Sequence, residues 1–155
     1  MIRYKRTDSS DKDFRQLVAA LDIDLAIRDG AEHSFYAQYN KIDSIRHAIV
    51  AYENDRPAGC GAVKEFMPGI MEVKRMYVPP AMRNRGIAAG VLHELERWCS
   101  EMGYMKCVLE TGKKQPEAIA LYLKSGYIAT PGYGQYAGVE NSVCFEKTLP
   151  DTVAQ

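Results

Sequence analysis

The chain has 155 residues, of which 46% are hydrophobic and 26% are charged, as in an ordinary soluble domain. Its 20 lysines and arginines balance its 20 aspartates and glutamates, so it lacks the basic excess that is typical of nucleic-acid-binding proteins. The charged N-terminus is not followed by an apolar stretch, and no run reaches the roughly 18 apolar residues of a membrane span, so we expect a cytoplasmic protein that binds neither nucleic acid nor membrane.

The first predicted element is a helix that begins near Ser10 and ends at Gly30. Ser10 is a suitable N-cap, and Asp13 is a weak capping-box partner three residues later. The apolar residues that recur at helical spacing are Phe14, Leu17, Val18, Leu21 and Leu25. A short second helix is expected over residues 32–39, so the pattern favours helices in the first 45 residues.

Three strands are predicted next, over residues 46–53, 58–66 and 70–78. Turn signals separate them at Asn54-Asp55 and at Met67-Pro68-Gly69. Strands joined by such short turns form an antiparallel meander. Pro79-Pro80 ends it, because proline has no N–H to donate to a ladder.

The clearest helix follows Gly86 and ends at Gly103. Its apolar face comprises Ile87, Ala88, Val91, Leu92, Leu95, Trp98, Cys99 and Met102. Pro116 and Gly126 bound another helix. The remaining strands are expected over residues 106–111, 127–129 and 142–149. The fold class is therefore α/β (α+β), with a mixed, mostly antiparallel sheet of about six or seven strands flanked by helices.

A basic turn joins the third strand of the meander to this helix, and its sequence is Arg83-Asn84-Arg85-Gly86-Ile87-Ala88. The first N–H groups of a helix have no intrahelical partner, and their partial positive charge favours an anion. Gly86 permits close backbone approach, and Arg83 and Arg85 add positive charge. The turn is a candidate diphosphate site, although it is neither a GxGxxG fingerprint nor a P-loop. The alternative is a surface turn with two solvated arginines.

Two further blocks flank this turn in a fixed order. The three blocks are Met76-Tyr77-Val78-Pro79, Arg83-x-x-Gly86-x-Ala88 and Ala118-Ile119-x-Leu121-Tyr122-x-Lys124-x-Gly126-Tyr127. Together they resemble the GNAT superfamily of N-acetyltransferases, whose signature is Gln/Arg-x-x-Gly-x-Gly/Ala. The resemblance implies a single domain, 1–155, splayed between its central strands. It also implies a helical acceptor-side segment, 1–45, and a sheet with the acetyl-coenzyme A-binding core, 46–149.

The resemblance further implies acetyl-coenzyme A as cosubstrate and no metal. The backbone of Met76, Tyr77 and Val78 would pair with the pantetheine arm in the gap between the splayed strands. The pyrophosphate would lie on the turn that contains Arg83, Asn84, Arg85, Gly86, Ile87 and Ala88. Gln115 stands where many relatives have an asparagine that contacts the pantetheine, and this departure leaves that contact open.

Tyr122 matches the family's tyrosine that protonates the leaving thiolate. A phenol with its ordinary pKa of about 10 is protonated at neutral pH and can donate, and the alternative role is a core aromatic. A base is also needed, because an alkylammonium must lose a proton before it attacks. Glu72, four residues before Met76 on the strand under the thioester, ranks first. Glu110 on the neighbouring strand ranks second and Glu65 is the remaining candidate, while an exposed strand glutamate is the alternative for each.

The acceptor pocket of this family lies between the early helices and the late loop. The candidates for it are Phe35, Tyr36, Tyr39, Asn40, Tyr133, Tyr136 and Asn141. The three histidines have no metal spacing, and the four cysteines form neither a CxxC pair nor a nucleophile motif.

These residues predict acetyl transfer to a primary amine of a small molecule or peptide, by direct attack in a ternary complex. A non-catalytic acyl-coenzyme A sensor is the alternative, and an enzyme with a longer acyl donor is a third interpretation. A homodimer is expected by analogy, because dimers are frequent in the family that the sequence resembles.

Overall fold

A computed structural model describes residues 1–29 and 45–150 of the chain. The strands are β1 Ile2–Thr7, β2 His47–Glu53, β3 Arg56–Met67, β4 Ile70–Tyr77, β5 Lys106–Gly112, β6 Ile128–Thr130 and β7 Ser142–Thr148. The helices, numbered along the described residues, are α1 Lys12–Asp29, α2 Ile87–Glu101 and α3 Pro116–Lys124. The helix predicted over residues 32–39 lies outside the described residues.

The seven strands form one sheet in the order β1-β2-β3-β4-β5-β7-β6. Only β4 and β5 pair in parallel, and the other neighbours are antiparallel. The predicted mixed, mostly antiparallel sheet is therefore confirmed. The two-residue turn of the β2–β3 hairpin has positive φ at both Asn54 (51°) and Asp55 (67°), the geometry that matches strand twist.

The chain begins with a strand and not with the predicted helix. β1 pairs along its length with β2, from Ile2 opposite Glu53 to Thr7 opposite Ala48. The sequence pattern did not indicate this strand, because three of its six residues are basic. Basic residues are typical of edge strands such as β1, where they hinder pairing with another chain. The sheet therefore includes residues from the segment that was interpreted as helical.

The N-cap of α1 is Asp11 and not Ser10. The Phe14 N–H donates to Oδ1 of Asp11 at 2.9 Å, while Ser10 donates both its N–H and its hydroxyl to Asp8. Lys5 also lies 2.6 Å from Oδ2 of Asp11. A carboxylate at this position both satisfies an orphan N–H and opposes the positive end of the helix, so Asp11 joins β1 to α1.

Each face of the sheet has its own apolar core. The face under α2 has a cluster that includes Ile49, Val63, Val73, Val91, Leu95, Leu109, Tyr122 and Phe145. The face under α1 has a cluster that includes Phe14, Leu17, Val18, Val50, Cys60, Ala62 and, at its margin, Tyr77. Neighbouring strand residues alternate between the faces. We call these the α2 face and the α1 face.

The parallel pairing of β4 with β5 stops halfway along both strands. It extends from Ile70 opposite Lys106 to Val73 opposite Leu109, although β4 continues to Tyr77 and β5 to Gly112. A β-bulge marks the same point, since Arg75 and Met76 lie opposite the single residue Gly61. The sheet is therefore splayed between its central strands, as predicted.

Candidate active site

The splay opens into a groove of about 520 Å³ beside the start of α2. Of the predicted cofactor residues, the groove is lined by Met76, Tyr77, Val78, Arg83, Asn84, Gly86, Ile87, Ala88, Gln115 and Tyr122. These residues come from β4, the basic turn and α3. The structure thus brings the end of β4 and the turn that follows it together with α3, which lies about 30 residues further along the chain. Only Arg85 among the predicted set does not line the groove.

The turn at the start of α2 presents backbone N–H groups to this groove. Gly86 is the N-cap with φ 78°, and no side-chain hydrogen bond caps the helix. The first intrahelical bond links Gly90 N–H to the Gly86 carbonyl at 3.0 Å, so the amides of Ile87, Ala88 and Ala89 precede the ladder. The positive φ is why glycine suits this position. The turn can bind an anion on its amides.

The two arginines of the turn have different partners. Nε of Arg83 donates to the Val78 carbonyl at 2.9 Å, and its guanidinium lies over the Tyr77 ring, so Arg83 holds the turn against the end of β4. Arg85 instead forms an ion pair with Glu53 at the end of β2. Since that pair is partly exposed, its electrostatic contribution to stability is small.

A second, smaller cavity of about 110 Å³ lies on the α1 side of the splay. It shares Met76, Gln115, Ala118 and Tyr122 with the groove, so the two spaces meet at the gap between β4 and β5. Leu21 and Leu25 of α1 form part of its wall. Of the late-loop candidates, Tyr136 lines it, whereas Phe35, Tyr36, Tyr39 and Asn40 lie outside the described residues.

Both leading base candidates line the small cavity. Glu72 is only 7% exposed, and its carboxylate accepts the Tyr133 hydroxyl at 2.6 Å. Glu110 accepts the Ser142 hydroxyl at 2.7 Å. Glu65 accepts the Tyr104 hydroxyl at 2.6 Å in an exposed position and is not among the residues that line either space.

Lys74 also approaches Glu72, with 3.4 Å between Nζ and the second carboxylate oxygen. Two neighbours therefore hold the Glu72 carboxylate in one orientation, which a base acting on a bound substrate requires. Tyr133, a candidate for the acceptor side, does not line the cavity itself, but its hydroxyl contacts Glu72, which does.

Tyr122 is buried at the junction of the groove and the cavity. Its ring packs against those of Tyr127 and Phe145, with centroids 5.9 and 6.1 Å away. Burial raises the pKa of the Tyr122 phenol, and the negative charge of Glu110 raises it further. The phenol is therefore neutral at physiological pH and can donate a hydrogen bond.

The sequence analysis missed one residue of the small cavity, Arg75. Its side chain is only 4% exposed, and Nη1 lies 2.8 Å from Oδ1 of Asp22 on α1. Arg75 has φ 61°, which is uncommon for a residue with a large side chain. The available signal was two adjacent cations in β4, which strand alternation alone does not distinguish from exposed charges.

The sequence profile of the Acetyltransferase (GNAT) family matches residues 14–127. The chain belongs to this family. It is 35% identical over 102 residues to the IAA acetyltransferase of Azospirillum brasilense, a match that covers 65% of this chain and 67% of that protein. It is 33% identical over 101 residues to the N-acetyltransferase YsnE of Bacillus subtilis, with 64% and 67% covered.

Solved structures agree with the GNAT fold. A Klebsiella pneumoniae protein described as an acyl-CoA N-acyltransferase is similar with a TM-score of 0.81 and 26% identity, over 97% of this chain and 99% of its own. The PaiA N-acetyltransferase of Thermoplasma acidophilum, solved with coenzyme A, has the same fold at a TM-score of 0.69 and 17% identity, over 96% and 99%. The chain is thus a GNAT N-acetyltransferase.

The GNAT family uses acyl-coenzyme A donors, and the amides at the start of α2 give the groove donors suited to the diphosphate of such a molecule. Within residues 1–29 and 45–150, we find no helix of the length and apolarity needed to cross a bilayer.

Proposed function

We propose that this GNAT protein transfers the acetyl group of acetyl-coenzyme A to a primary amine of a small molecule or peptide, by direct attack in a ternary complex. The observation that carries the proposal is the meeting of two spaces at the splay. The groove offers amides for a diphosphate, the cavity offers carboxylates for an amine, and Tyr122 and Met76 line both.

The donor side is supported by unused backbone groups. Beyond Val73 the edge of β4 that faces β5 has no strand partner among the described strands, so its N–H and C=O groups can pair with an extended amide-containing chain such as pantetheine. The amides at the start of α2 lie at one end of the same groove, where they suit the pyrophosphate. We assign the turn residues Arg83, Asn84 and Arg85 to pyrophosphate binding, because they belong to the turn that presents these amides.

On the acceptor side, we assign the role of the base to Glu72. Its buried carboxylate lines the cavity and is held by Tyr133 and Lys74, so it is placed to accept a proton from the entering ammonium. The neutral nitrogen then attacks the thioester carbonyl carbon, a C–N bond forms and the C–S bond breaks. Glu110 lines the same cavity and is the second candidate for the base.

Tyr122 is assigned the opposite proton transfer. It donates its phenolic proton to the departing sulfur and regains a proton from the acetylated nitrogen. A donor beside developing negative charge lowers the barrier of this step.

A covalent acyl-enzyme is disfavoured by the state of the cysteines. All four are buried, and a thiol must ionise to act as a nucleophile. Burial raises the pKa of Cys60 to about 12 and also raises that of Cys144. A hydrogen bond with Cys99, together with burial, raises the pKa of Cys107. Cys60, Cys107 and Cys144 therefore remain thiols at neutral pH.

The test is the turnover of Tyr122→Phe, measured by mass spectrometry of acetylated amines from a broad panel. We expect kcat to fall about 10²-fold or more, with coenzyme A affinity retained. Tyr127→Phe is the matched control, because Tyr127 belongs to the same aromatic cluster but lines neither the groove nor the cavity. An unchanged kcat in Tyr122→Phe would show that Tyr122 is not the acid. Tight coenzyme A binding by the native protein without acetylation of any amine would favour the sensor alternative.

A further inference from the structure

We infer that the amine acceptor also contains a carboxylate, which Arg75 binds, so that the substrate class is a small amino-carboxylate. The inference rests on the proposed function, since it concerns the acceptor cavity of the same site. Its basis is a buried guanidinium in the cavity wall with hydrogen-bonding capacity that the described residues do not satisfy.

The Arg75 guanidinium has one ion pair and one unpartnered N–H among the described residues. Nη1 is paired with Asp22, whereas the buried Nε has no hydrogen-bond partner among residues 1–29 and 45–150. Leaving a charged donor buried and unsatisfied is costly. Arg75 lines the cavity, and a carboxylate there that draws the guanidinium outward would accept from its planar edge and remove this deficit.

The β-bulge explains why this arginine reaches the cavity. Lys74 lies on the α1 face, since it is opposite Ala62 of that core. Simple alternation would then direct the next side chain to the α2 face. The left-handed φ of Arg75 interrupts the alternation, and its side chain instead meets Asp22 of α1. The backbone distortion thus places two consecutive cations beside the acceptor space.

The cavity wall contains charges of both signs. Glu72 and Glu110 supply two carboxylates, and Lys74 and Arg75 supply two cations. Both cations have a carboxylate partner, Glu72 for Lys74 and Asp22 for Arg75, but Arg75 also has a donor, Nε, without a partner in the described part of the chain, so it is the cation better suited to an incoming anion. A substrate with both an ammonium and a carboxylate matches this pattern, while a simple alkylamine leaves the Arg75 edge unmatched.

The size of the cavity favours a small acceptor. Its volume of about 110 Å³ is well below the roughly 300–1,000 Å³ of pockets that hold drug-sized ligands. An amino acid therefore suits this space better than a molecule of the size of an antibiotic.

The experiment compares matched acceptors with acetyl-coenzyme A. Each common α-amino acid, β-alanine and 4-aminobutyrate is assayed beside its carboxamide and its decarboxylated amine. For the best acid we expect kcat/KM at least about tenfold above that of its amide, because a charge-assisted hydrogen bond is lost. In Arg75→Gln this ratio should fall towards one, with amide turnover retained.

Arg97→Gln is the control, since it removes an exposed guanidinium from α2 on the opposite face. It should keep the native preference. Circular dichroism and coenzyme A binding report whether Arg75→Gln folds, and Arg75→Lys, which keeps the charge without the planar edge, replaces it if it does not. The native ratio is decisive by itself. Equal turnover of acids and amides would overturn the carboxylate inference and leave the proposed function intact, whereas no turnover of any amine would overturn both.

Discussion

At the residue scale, the most informative side chain is Glu72. Its place on a strand left open whether the carboxylate is exposed, and the fold buries it beside Tyr133 and Lys74. An orientation fixed by two neighbours distinguishes it from Glu65, which has a tyrosine partner but an exposed position. The two glutamates therefore form a matched pair for mutation.

We predict that Glu72→Gln lowers kcat/KM about 10²–10⁴-fold at pH 7, because the amide cannot accept the ammonium proton. The substitution keeps the shape of the side chain and an oxygen for the Tyr133 hydroxyl. Steady-state kinetics on the best amine measure the effect, and Glu65→Gln should match the native enzyme. A large loss in Glu110→Gln with little in Glu72→Gln would transfer the base role to Glu110.

The raised pKa of Tyr122 predicts the shape of the pH profile. Burial and Glu110 disfavour the phenolate, so the neutral donor persists above the ordinary phenol pKa of about 10. The rate should rise with pH as the amine loses its proton and should show no decline below about pH 10. Rates measured from pH 6 to 10, with circular dichroism at each pH, test this. A decline within that range that is absent from Tyr122→Phe would contradict it.

Local patterns indicated part of the candidate site and missed part. Arg83-x-x-Gly86-x-Ala88 and Tyr122 were recognisable because they match ordered motifs of the family that the sequence resembles. Arg75 was not, because its role depends on a φ that reverses alternation and on Asp22 from a distant helix. Contacts of this kind arise from tertiary packing and leave no periodic signal.

At the element scale, α1 shows how a cap is chosen by tertiary contacts. Ser10 and Asp11 are both acceptable N-caps by residue type. Asp11 has the additional partners Lys5 and Thr7 from β1, so the cap also fastens the helix to the edge strand. Ser10 turns back to Asp8.

We predict that Asp11→Ala lowers the free energy of unfolding by about 1–2 kcal/mol, through loss of the cap. Ser10→Ala should stay within about 0.5 kcal/mol of the native protein. Urea denaturation followed by circular dichroism measures both. Equal losses in the two variants would show that the Asp11 carboxylate is not the dominant cap.

Other elements were predictable because their signals are local. Pro116 and Gly126 bounded α3, and the turns at residues 54–55 and 67–69 bounded the meander within a few residues. The position of β7 between β5 and β6 was not predictable, because it depends on pairing between strands separated by a helix and a long loop.

At the scale of the whole molecule, the sheet has two parts joined by a short ladder. Strands β1 to β4 form one part with α1 and α2, and β5, β7 and β6 form the other with α3. Four residue pairs join β4 to β5, supplemented by apolar contacts such as those of Leu109 and Tyr122 within the α2-face core. The groove lies across this junction, since β4 and α3 both line it.

We predict that coenzyme A slows amide hydrogen exchange most in β5, α3 and the start of α2, and least in β1 and β2. A ligand that contacts both parts opposes their separation, and at about 100-fold excess over Kd it adds about 2.7 kcal/mol to stability. Hydrogen exchange with mass spectrometry measures this by segment. Uniform protection, or protection confined to β1 and β2, would contradict a ligand in the groove.

The burial of all four cysteines has a practical consequence for the study of this enzyme. A chromogenic thiol reagent in the assay mixture meets little protein sulfhydryl, so the colour that develops reports coenzyme A as it is liberated. Turnover can then be followed continuously in a cuvette without prior blocking of the protein. The same shielding should let the purified enzyme withstand storage in air without added reductant.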